Sequence, residues 1–487
     1  MKESKGNTVS SSMIFKTLER YVVMAFQMVV QIVIARILSP SDYGVVAMMS
    51  VFIIVATVFV QNGFNMAIVQ KKDADDTDYS TALIVNMAIG VVLYFVMVVC
   101  SPAIASFYNQ PDITKFLPVL SLLLVFGSIN SIQIAIANRK MMFKNLFKCN
   151  VVASLLSGIA GIGTALLGWG VWALIVQQLT SSIALSIMLY LQQHWKPNWK
   201  FSGKSARIQF SFGWKILVAG LLNQIYRELN SLVIGKQYTS SDLAFYNKGS
   251  QFPKYVTMGV DSSISSVMFS AFSKNQNNRE ALHEQMKKTI VINSYLVFPI
   301  LALLGVAAEP IVSLLLTDKW LPLVPYMKIC CITFVLHPLA AVQVQAITAV
   351  GRSDVRLKIE ILKKGIGIGL LILMMSYGPF AIALSAAVAG IIGIVIGAVA
   401  GKITTGYPLR HLISDLGPTI LITCLMVAAM YGVSLFDVPA IIKFILETFV
   451  GGLVYLGVSA IFGLYGFEYL KGLVEKKLEQ RKQKKNG

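Results

Sequence analysis

Apolar stretches of roughly 20 residues recur along the whole chain, separated by short polar or charged clusters. Residues 21–35 and 44–60 are the first two. A predominantly apolar stretch of about 20 residues can cross the hydrocarbon core of a bilayer as an α-helix. The pattern therefore predicts an all-α integral membrane protein with about fourteen transmembrane helices. They are expected at residues 13–36, 43–66, 79–102, 114–137, 146–167, 170–192, 209–235, 243–272, 287–306, 323–350, 356–376, 379–401, 413–433 and 441–466.

The composition agrees with a chain that lies in lipid. Hydrophobic residues make up 56% and charged residues 13% of the sequence, whereas an average soluble domain has about 25% charged residues. The five cysteines lack the spacing of metal ligands, and the four histidines form no pair at i and i+4. No GxxxxGK[ST] nucleotide-binding pattern is present in the sequence. We therefore predict no metal site and no cofactor.

Basic residues are distributed unequally between the predicted loops. If the N-terminus is inside, most of the 42 lysines and arginines fall in inner segments, among them residues 139–148 and 196–207. Positive charge resists translocation, so cytoplasmic loops are enriched in Lys and Arg. The bias predicts an even number of helices with both termini in the cytoplasm. The net charge of +19 is thus mostly a sign of topology and does not suggest nucleic-acid binding.

Two stretches that lie 200 residues apart share one pattern. Residues 34–44 read IARILSPSDYG and residues 234–244 read IGKQYTSSDLA. The identical pairs include Ile34 and Ile234, Ser41 and Ser241, and Asp42 and Asp242. Each stretch ends one predicted helix and begins the next, where Ser and Asp can accept hydrogen bonds from free helix amides. A second pair, AIANR at 135–139 and ITAVGR at 347–352, has the same six-helix separation.

These correspondences predict two six-helix bundles in the same orientation, a parallel repeat, followed by two C-terminal helices. Transporters built from repeats usually bind their substrates at the repeat interface near the middle of the membrane. The predicted regions are a cytoplasmic N-terminal leader (1–12), an N-terminal six-helix bundle (13–192), a cytoplasmic linker (193–208), a C-terminal six-helix bundle (209–401), two additional transmembrane helices (413–466) and a basic cytoplasmic tail (467–487).

Polar residues follow one face of the predicted seventh helix, where Asn223, Arg227 and Asn230 recur at i, i+4 and i+7. Charged residues inside a membrane are costly and usually face a cavity or a partner. The 200-residue shift places the neutral Gln27 opposite Arg227, which predicts a cavity between the bundles with its cations on one wall. The candidates for substrate binding are Arg227, Lys254, Asn223, Asn230, Gln27 and Gln31, and those for ion coupling are Asp261 and Glu228.

An alternative interpretation places Arg227 in a buried structural ion pair. Glu228 is a poor partner for it, because adjacent helix residues point about 100° apart. The sequence leaves open whether another neighbour pairs with Arg227.

Three segments carry a resemblance to a known family. ARILSPSDYGVVAM, NGFNMAIVQKKD and SLVIGKQYTSSDLAFYNKGSQFPKYV are similar to the Wzx-type polysaccharide exporters, nearest to the colanic acid and teichuronic acid exporters. This family belongs to the multidrug/oligosaccharidyl-lipid/polysaccharide (MOP) exporter superfamily, which also holds the MATE drug antiporters and the lipid II flippase MurJ. The resemblance spans nearly the whole chain and is strongest over residues 13–80 and 205–275.

The resemblance implies a flippase of the bacterial cytoplasmic membrane that serves the biosynthesis of cell-surface polysaccharide, including lipopolysaccharide. Its substrate would be an undecaprenyl-diphosphate-linked oligosaccharide, moved from the inner to the outer leaflet by alternating access. Membrane lipids are further expected partners, and a proton or sodium gradient is a candidate energy source.

Two other functions fit the sequence less well than a flippase. A MATE-like multidrug or cation antiporter would need acidic residues in its cavity, whereas basic groups equal or exceed acidic ones among the candidates. A membrane enzyme, such as a polysaccharide polymerase or ligase, would need a large external loop, and the longest predicted one, residues 307–322, is short. We therefore expect a transporter without enzymatic activity.

Overall fold

The computed structural model describes residues 22–62, 65, 68, 70–71, 73–193, 195–276, 278–436, 438–472, 475 and 479. The predicted leader, the first residues of the first predicted helix and most of the predicted tail lie outside the described residues. The helices are α1 (Val22–Ile37), α2 (Pro40–Asn62), α3 (Asp76–Tyr108), α4 (Ile113–Leu120), α5 (Leu122–Arg139), α6 (Phe143–Leu166), α7 (Val171–Gln192), α8 (Gly203–Gln237), α9 (Ser240–Lys274), α10 (Arg279–Val306), α11 (Ala308–Leu316), α12 (Val324–Val335), α13 (His337–Ala349), α14 (Ser353–Met374), α15 (Pro379–Thr404), α16 (Leu409–Ser434) and α17 (Ala440–Ile461).

Ten segments in the described part of the chain are long and apolar enough to cross a membrane. They are Pro40–Gln61, Asp76–Tyr108, Ile113–Arg139, Phe143–Leu166, Val171–Gln192, Arg279–Val306, Asp318–Ala349, Pro379–Thr404, Leu409–Ser434 and Ala440–Ile461. The described residues form no β-strand. The prediction of an all-α, multi-pass membrane protein is confirmed.

Four predicted spans correspond to helices that are shorter or more polar than these ten. They are α1, α8, α9 and α14. Helices α8 and α9 are each 35 residues long, and they carry most of the polar candidate residues. The described helices are compatible with fourteen spans, and that number stays a prediction.

Two predicted spans are each divided into two helices. The fourth consists of α4 and α5, which meet at Ser121, and the tenth consists of α12 and α13, which meet at Leu336. Pro338 stands at the start of α13, where a missing N–H costs no hydrogen bond within the new helix. The predicted external loop at 307–322 also contains structure, because α11 and the 3₁₀ helix Asp318–Leu323 occupy it.

The chain divides into two compact units, Met1–Ala244 and Phe245–Gly487. In the first unit α6 packs against α7, α3 packs against α5, and α8 packs against both α2 and α3. The sequence repeat predicts that α8 belongs to the C-terminal bundle. In the structure α8 packs against helices of the first unit, so the boundary of the predicted bundle and the boundary of the compact unit differ at this helix. The bundle limits derived from the repeat stay a prediction.

In the second unit α10 is central, since it packs against α12, α13 and α16. One buried cluster includes Phe272, Met286, Ile290 and Leu416. Helix α17 packs against α16, α11 and α10, and a second buried cluster there contains Tyr295, Met426, Met430 and Tyr455. The C-terminal helix pair thus has an apolar core of its own with α10.

Candidate functional site

The polar face of α8 is the part of the candidate site that the structure describes best. The helix is capped by Ser202, whose Oγ accepts a hydrogen bond from the Ser205 amide at 3.3 Å. With 35 residues and a rise of about 1.5 Å per residue, it is longer than a hydrocarbon core of about 30 Å. Asn223 and Arg227 are exposed and Asn230 is half-buried. These three residues, which the helical period places on one face, are therefore largely accessible to solvent.

Arg227 has no hydrogen-bond or ion-pair partner in the described part of the chain. Its neighbour Glu228 is half-buried and accepts a hydrogen bond from Gln224 Nε2 at 2.8 Å. The alternative of a structural ion pair for Arg227 is therefore not realised among the described residues. The guanidinium group is available to a ligand.

The two glutamines of α1 have different environments. Gln27 is exposed, whereas Gln31 Nε2 donates a hydrogen bond to Oε1 of the buried Gln177 on α7 at 3.1 Å. Gln31 therefore holds α1 against α7. The helical pattern predicts substrate binding for both Gln27 and Gln31 and does not distinguish their environments.

The candidates on α9 are described in part. Lys254 is exposed and directly follows Pro253, a proline inside the helix. Asp261 belongs to the same helix, and its side chain lies outside the described residues. Lys248 is buried, with 7% of its surface exposed, and it is not among the candidates that the helical spacing identified. Its position inside α9, two turns after Ser240, was the signal that could have identified it.

The turns before α2 and α9 share one hydrogen-bonding pattern. In the first, the Ser39 amide donates to Asp42 Oδ2 at 3.0 Å and the Asp42 amide donates to Ser39 Oγ at 3.2 Å. In the second, Thr239 and Asp242 exchange the same two bonds, each at 3.1 Å. This reciprocal arrangement is a capping box in which Asp is the third residue of the helix. The predicted capping role of Asp42 and Asp242 is confirmed, and the 200-residue correspondence extends to atomic detail.

These two turns also contact each other. Ser41 Oγ and Ser240 Oγ are 3.1 Å apart and share a hydrogen bond. A Cβ atom added to Gly44 would lie 2.8 Å from Ser240 Cα and closer still to the Ser240 carbonyl group. Only glycine at position 44 lets the start of α2 approach the start of α9 this closely. The 200-residue correspondence predicts that the two turns are equivalent, but it does not predict that they are neighbours.

A buried polar cluster lies at the other end of α8. Asp78, 3% exposed, receives hydrogen bonds from Lys71 Nζ at 2.6 Å and from Ser205 Oγ at 2.5 Å. Gln209 Nε2 donates to the Asp78 carbonyl oxygen at 3.2 Å. Together these bonds join the N-terminal part of α8 to the first turn of α3.

The linker before α8 is held to the same turn of α3. Trp195 Nε1 donates to Asp76 Oδ1 at 3.1 Å, and the Ser202 amide donates to Thr81 Oγ1 at 3.0 Å. The predicted inter-bundle linker is thus an ordered connection. It fixes where α8 begins relative to α3.

The fold and the polar helices define a multi-pass membrane protein in which exposed polar side chains, Arg227 among them, lie on two helices of 35 residues each. The chain belongs to the polysaccharide biosynthesis protein family, whose model matches residues 33–325. The resemblance to a family of proteins that serve polysaccharide biosynthesis is thereby confirmed.

Two known proteins are similar in sequence over most of the chain. The teichuronic acid biosynthesis protein TuaB of Bacillus subtilis (strain 168) is 24% identical, and the match covers 61% of this chain and 62% of TuaB. The lipopolysaccharide biosynthesis protein WzxC of Escherichia coli (strain K12) is 23% identical, with 70% of each chain covered. The match with TuaB therefore spans less than two thirds of that relative.

Among solved structures, the lipid II flippase MurJ in an inward closed conformation has a TM-score of 0.72 and 17% sequence identity. The similarity covers 92% of this chain and 98% of MurJ. It shows that the two proteins share a fold.

Proposed function

We propose that the protein is a flippase that moves an undecaprenyl-diphosphate-linked oligosaccharide from the inner to the outer leaflet of the bacterial cytoplasmic membrane. The observation that carries the proposal is the exposed guanidinium of Arg227, which has no partner among the described residues and stands on the polar face of a long membrane helix. Membership of the polysaccharide biosynthesis protein family supports it. The similarity to the teichuronic acid biosynthesis protein TuaB and the fold shared with a lipid II flippase also support it.

In this proposal the substrate is recognised through its anionic part. A guanidinium group binds phosphate through two parallel hydrogen bonds, whereas an ammonium group supplies a point charge. Asn223 and Asn230 lie on the same face as Arg227 and carry amide groups suited to sugar hydroxyls. Lys254 would be a second cation for the same substrate. The protein forms and breaks no covalent bond, and alternating access carries the substrate across.

Substitution of Arg227 tests the proposal. Arg227→Ala should abolish nearly all transfer of the lipid-linked oligosaccharide in reconstituted vesicles, and Arg227→Lys should retain part of it. Charged hydrogen bonds contribute about 1.5–3 kcal/mol each, so we expect a loss of roughly tenfold or more for the alanine variant.

The matched control is Lys215→Ala, which removes an exposed cation from the same helix but lies about 120° around the helix from Arg227. It should transfer the substrate at the wild-type rate. The amount of each variant in the membrane is measured in parallel. Wild-type transfer by Arg227→Ala would show that Arg227 is not a substrate ligand and would make Lys254 the better candidate.

A further inference from the structure

Glu447 is a buried carboxyl group in the C-terminal helix pair. It is 1% exposed, and neither of its carboxylate oxygens has a hydrogen-bond partner in the described part of the chain. It lies seven residues after the first residue of α17, or about 10 Å along the helix axis. The large majority of buried polar side-chain atoms in proteins have a partner. Glu447 therefore requires a ligand that the fold itself does not supply.

The charged groups within electrostatic reach of Glu447 are Lys443 on its own helix, Glu309 in the first turn of α11 and Lys328 of α12. None of them forms an ion pair with Glu447 among the described residues. Glu309 is exposed and Lys328 is half-buried. The carboxyl group is thus near two cations and one anion without touching any of them.

The other helices that pack against α17 are α10 and α16, and their described residues place no charged side chain within electrostatic reach of Glu447. Met430 and Met426 of α16 lie over Gly451, one turn further along α17. About two turns from Glu447, Tyr455 Oη donates to the carbonyl oxygen of Tyr295 on α10 at 2.8 Å. Tyr431 of α16 is exposed. Around Glu447 the neighbouring helices therefore provide mostly apolar surface.

An ionised carboxylate without a contact partner is strongly disfavoured in such surroundings. A proton or a metal cation could satisfy it. A hard cation such as Ca²⁺ needs six or more oxygen ligands, and the described residues contain no group of three or more His, Cys, Asp or Glu side chains that could hold a metal. A proton needs only the carboxylate itself.

We propose that Glu447 is a proton-binding site. Binding joins one proton to the carboxylate and gives a neutral carboxyl group, and release returns that proton to water. Glu447 lies near the end of α17 that the charge bias places outside, where Lys443 and the exposed Glu309 are in reach, so the proton exchanges with the outer aqueous phase. Resting on the proposed function, uptake from the outer phase is one half of a cycle in which alternating access releases the proton to the inner phase, and the net movement of the proton drives export.

Infrared spectroscopy of the purified protein in vesicles tests proton binding without reference to transport. The wild type should show the carbonyl stretching band of a neutral carboxyl group near neutral pH, and this band should disappear as the pH is raised. Glu447→Gln should lack the band. The matched control Glu309→Gln removes an exposed carboxylate at the same end and should retain it. Identical spectra for the wild type and Glu447→Gln, or a band that does not change with pH, would overturn the proposal.

If Glu447→Gln does not fold, the wild type provides a second measurement. Dicyclohexylcarbodiimide is an apolar reagent that modifies protonated carboxyl groups, and mass spectrometry locates the modified residue. Modification at Glu447 that declines with rising pH supports the proposal, and absent or pH-independent modification contradicts it.

Transport is measured separately. Wild-type export should change with external pH, and Glu447→Gln should export at a rate that external pH does not affect. Loss of the infrared band together with a normal pH response of export would confirm the proton site and refute its use in coupling. A protein that transfers no substrate but shows the band would refute the flippase function and leave the proton site standing.

Discussion

At the scale of single residues, Gly44 controls a backbone contact that no other residue allows. We predict that Gly44→Ala separates the starts of α2 and α9, because its methyl group would overlap the Ser240 backbone. Overpacking costs about 1–3 kcal/mol, so the contact should become roughly tenfold less populated. Oxidative cross-linking of a Ser41→Cys/Ser240→Cys pair measures this population, since the two hydroxyl oxygens are 3.1 Å apart.

The matched control for this experiment is Gly127→Ala on α5, where an added Cβ meets nothing within 4 Å. It should leave cross-linking unchanged. Equal cross-linking in Gly44→Ala and Gly127→Ala would mean that glycine at position 44 is not what permits the contact.

At the scale of elements, the Asp78 cluster joins α8 to α3 and thereby positions the polar face of α8. Removing one partner of a buried ion pair costs about 3–5 kcal/mol, but Lys71 is partly exposed, with 37% of its side-chain surface accessible. We therefore expect Asp78→Asn to lower the free energy of unfolding by about 2 kcal/mol. Thermal unfolding of the protein in detergent measures the loss.

A second single variant, a double variant and a control variant make this prediction specific. Ser205→Ala should destabilise less, and the double variant should lose less than the sum of the single losses, because both side chains belong to one hydrogen-bond network. Asp354→Asn is the matched control, since its pair with Arg352 is exposed on both sides and should contribute little. If Asp78→Asn unfolds like Asp354→Asn, the cluster does not hold α8 to α3.

At the scale of the whole molecule, the unequal distribution of basic residues predicts the orientation. A cysteine at Asp112, exposed between α3 and α4, should react with an impermeant thiol reagent added outside intact cells. A cysteine at Ser353, exposed at the start of α14, should react only after the membrane is opened. Ser240 is unsuitable for such labelling because it is buried against the α2 turn.

The background for these variants must lack the native Cys100 and Cys424, which are exposed. The reverse labelling pattern would invert the predicted orientation and move Glu447 to the inner side. Labelling of both positions in intact cells would contradict the seven helices that are predicted between them.

The sequence by itself determined the properties that depend on neighbouring residues. The apolar stretches placed the helices, because crossing a bilayer requires about 20 apolar residues in succession. The 200-residue correspondence identified equivalent capping turns, because a capping box forms within four residues. The spacing of Asn223, Arg227 and Asn230 identified an accessible polar face, because the helical period sets which residues share a face.

Only the tertiary structure decided properties that depend on which helices meet. Gln31 bonds to a residue 146 positions later, and Gly44 adjoins a turn nearly 200 positions away. Lys248 and Glu447 are buried although both have ionisable side chains, and their positions inside predicted helices do not by themselves show that a neighbouring helix covers them. The periodicity of one helix defines its faces, but contact with other helices determines which face is covered and which polar group is left without a partner.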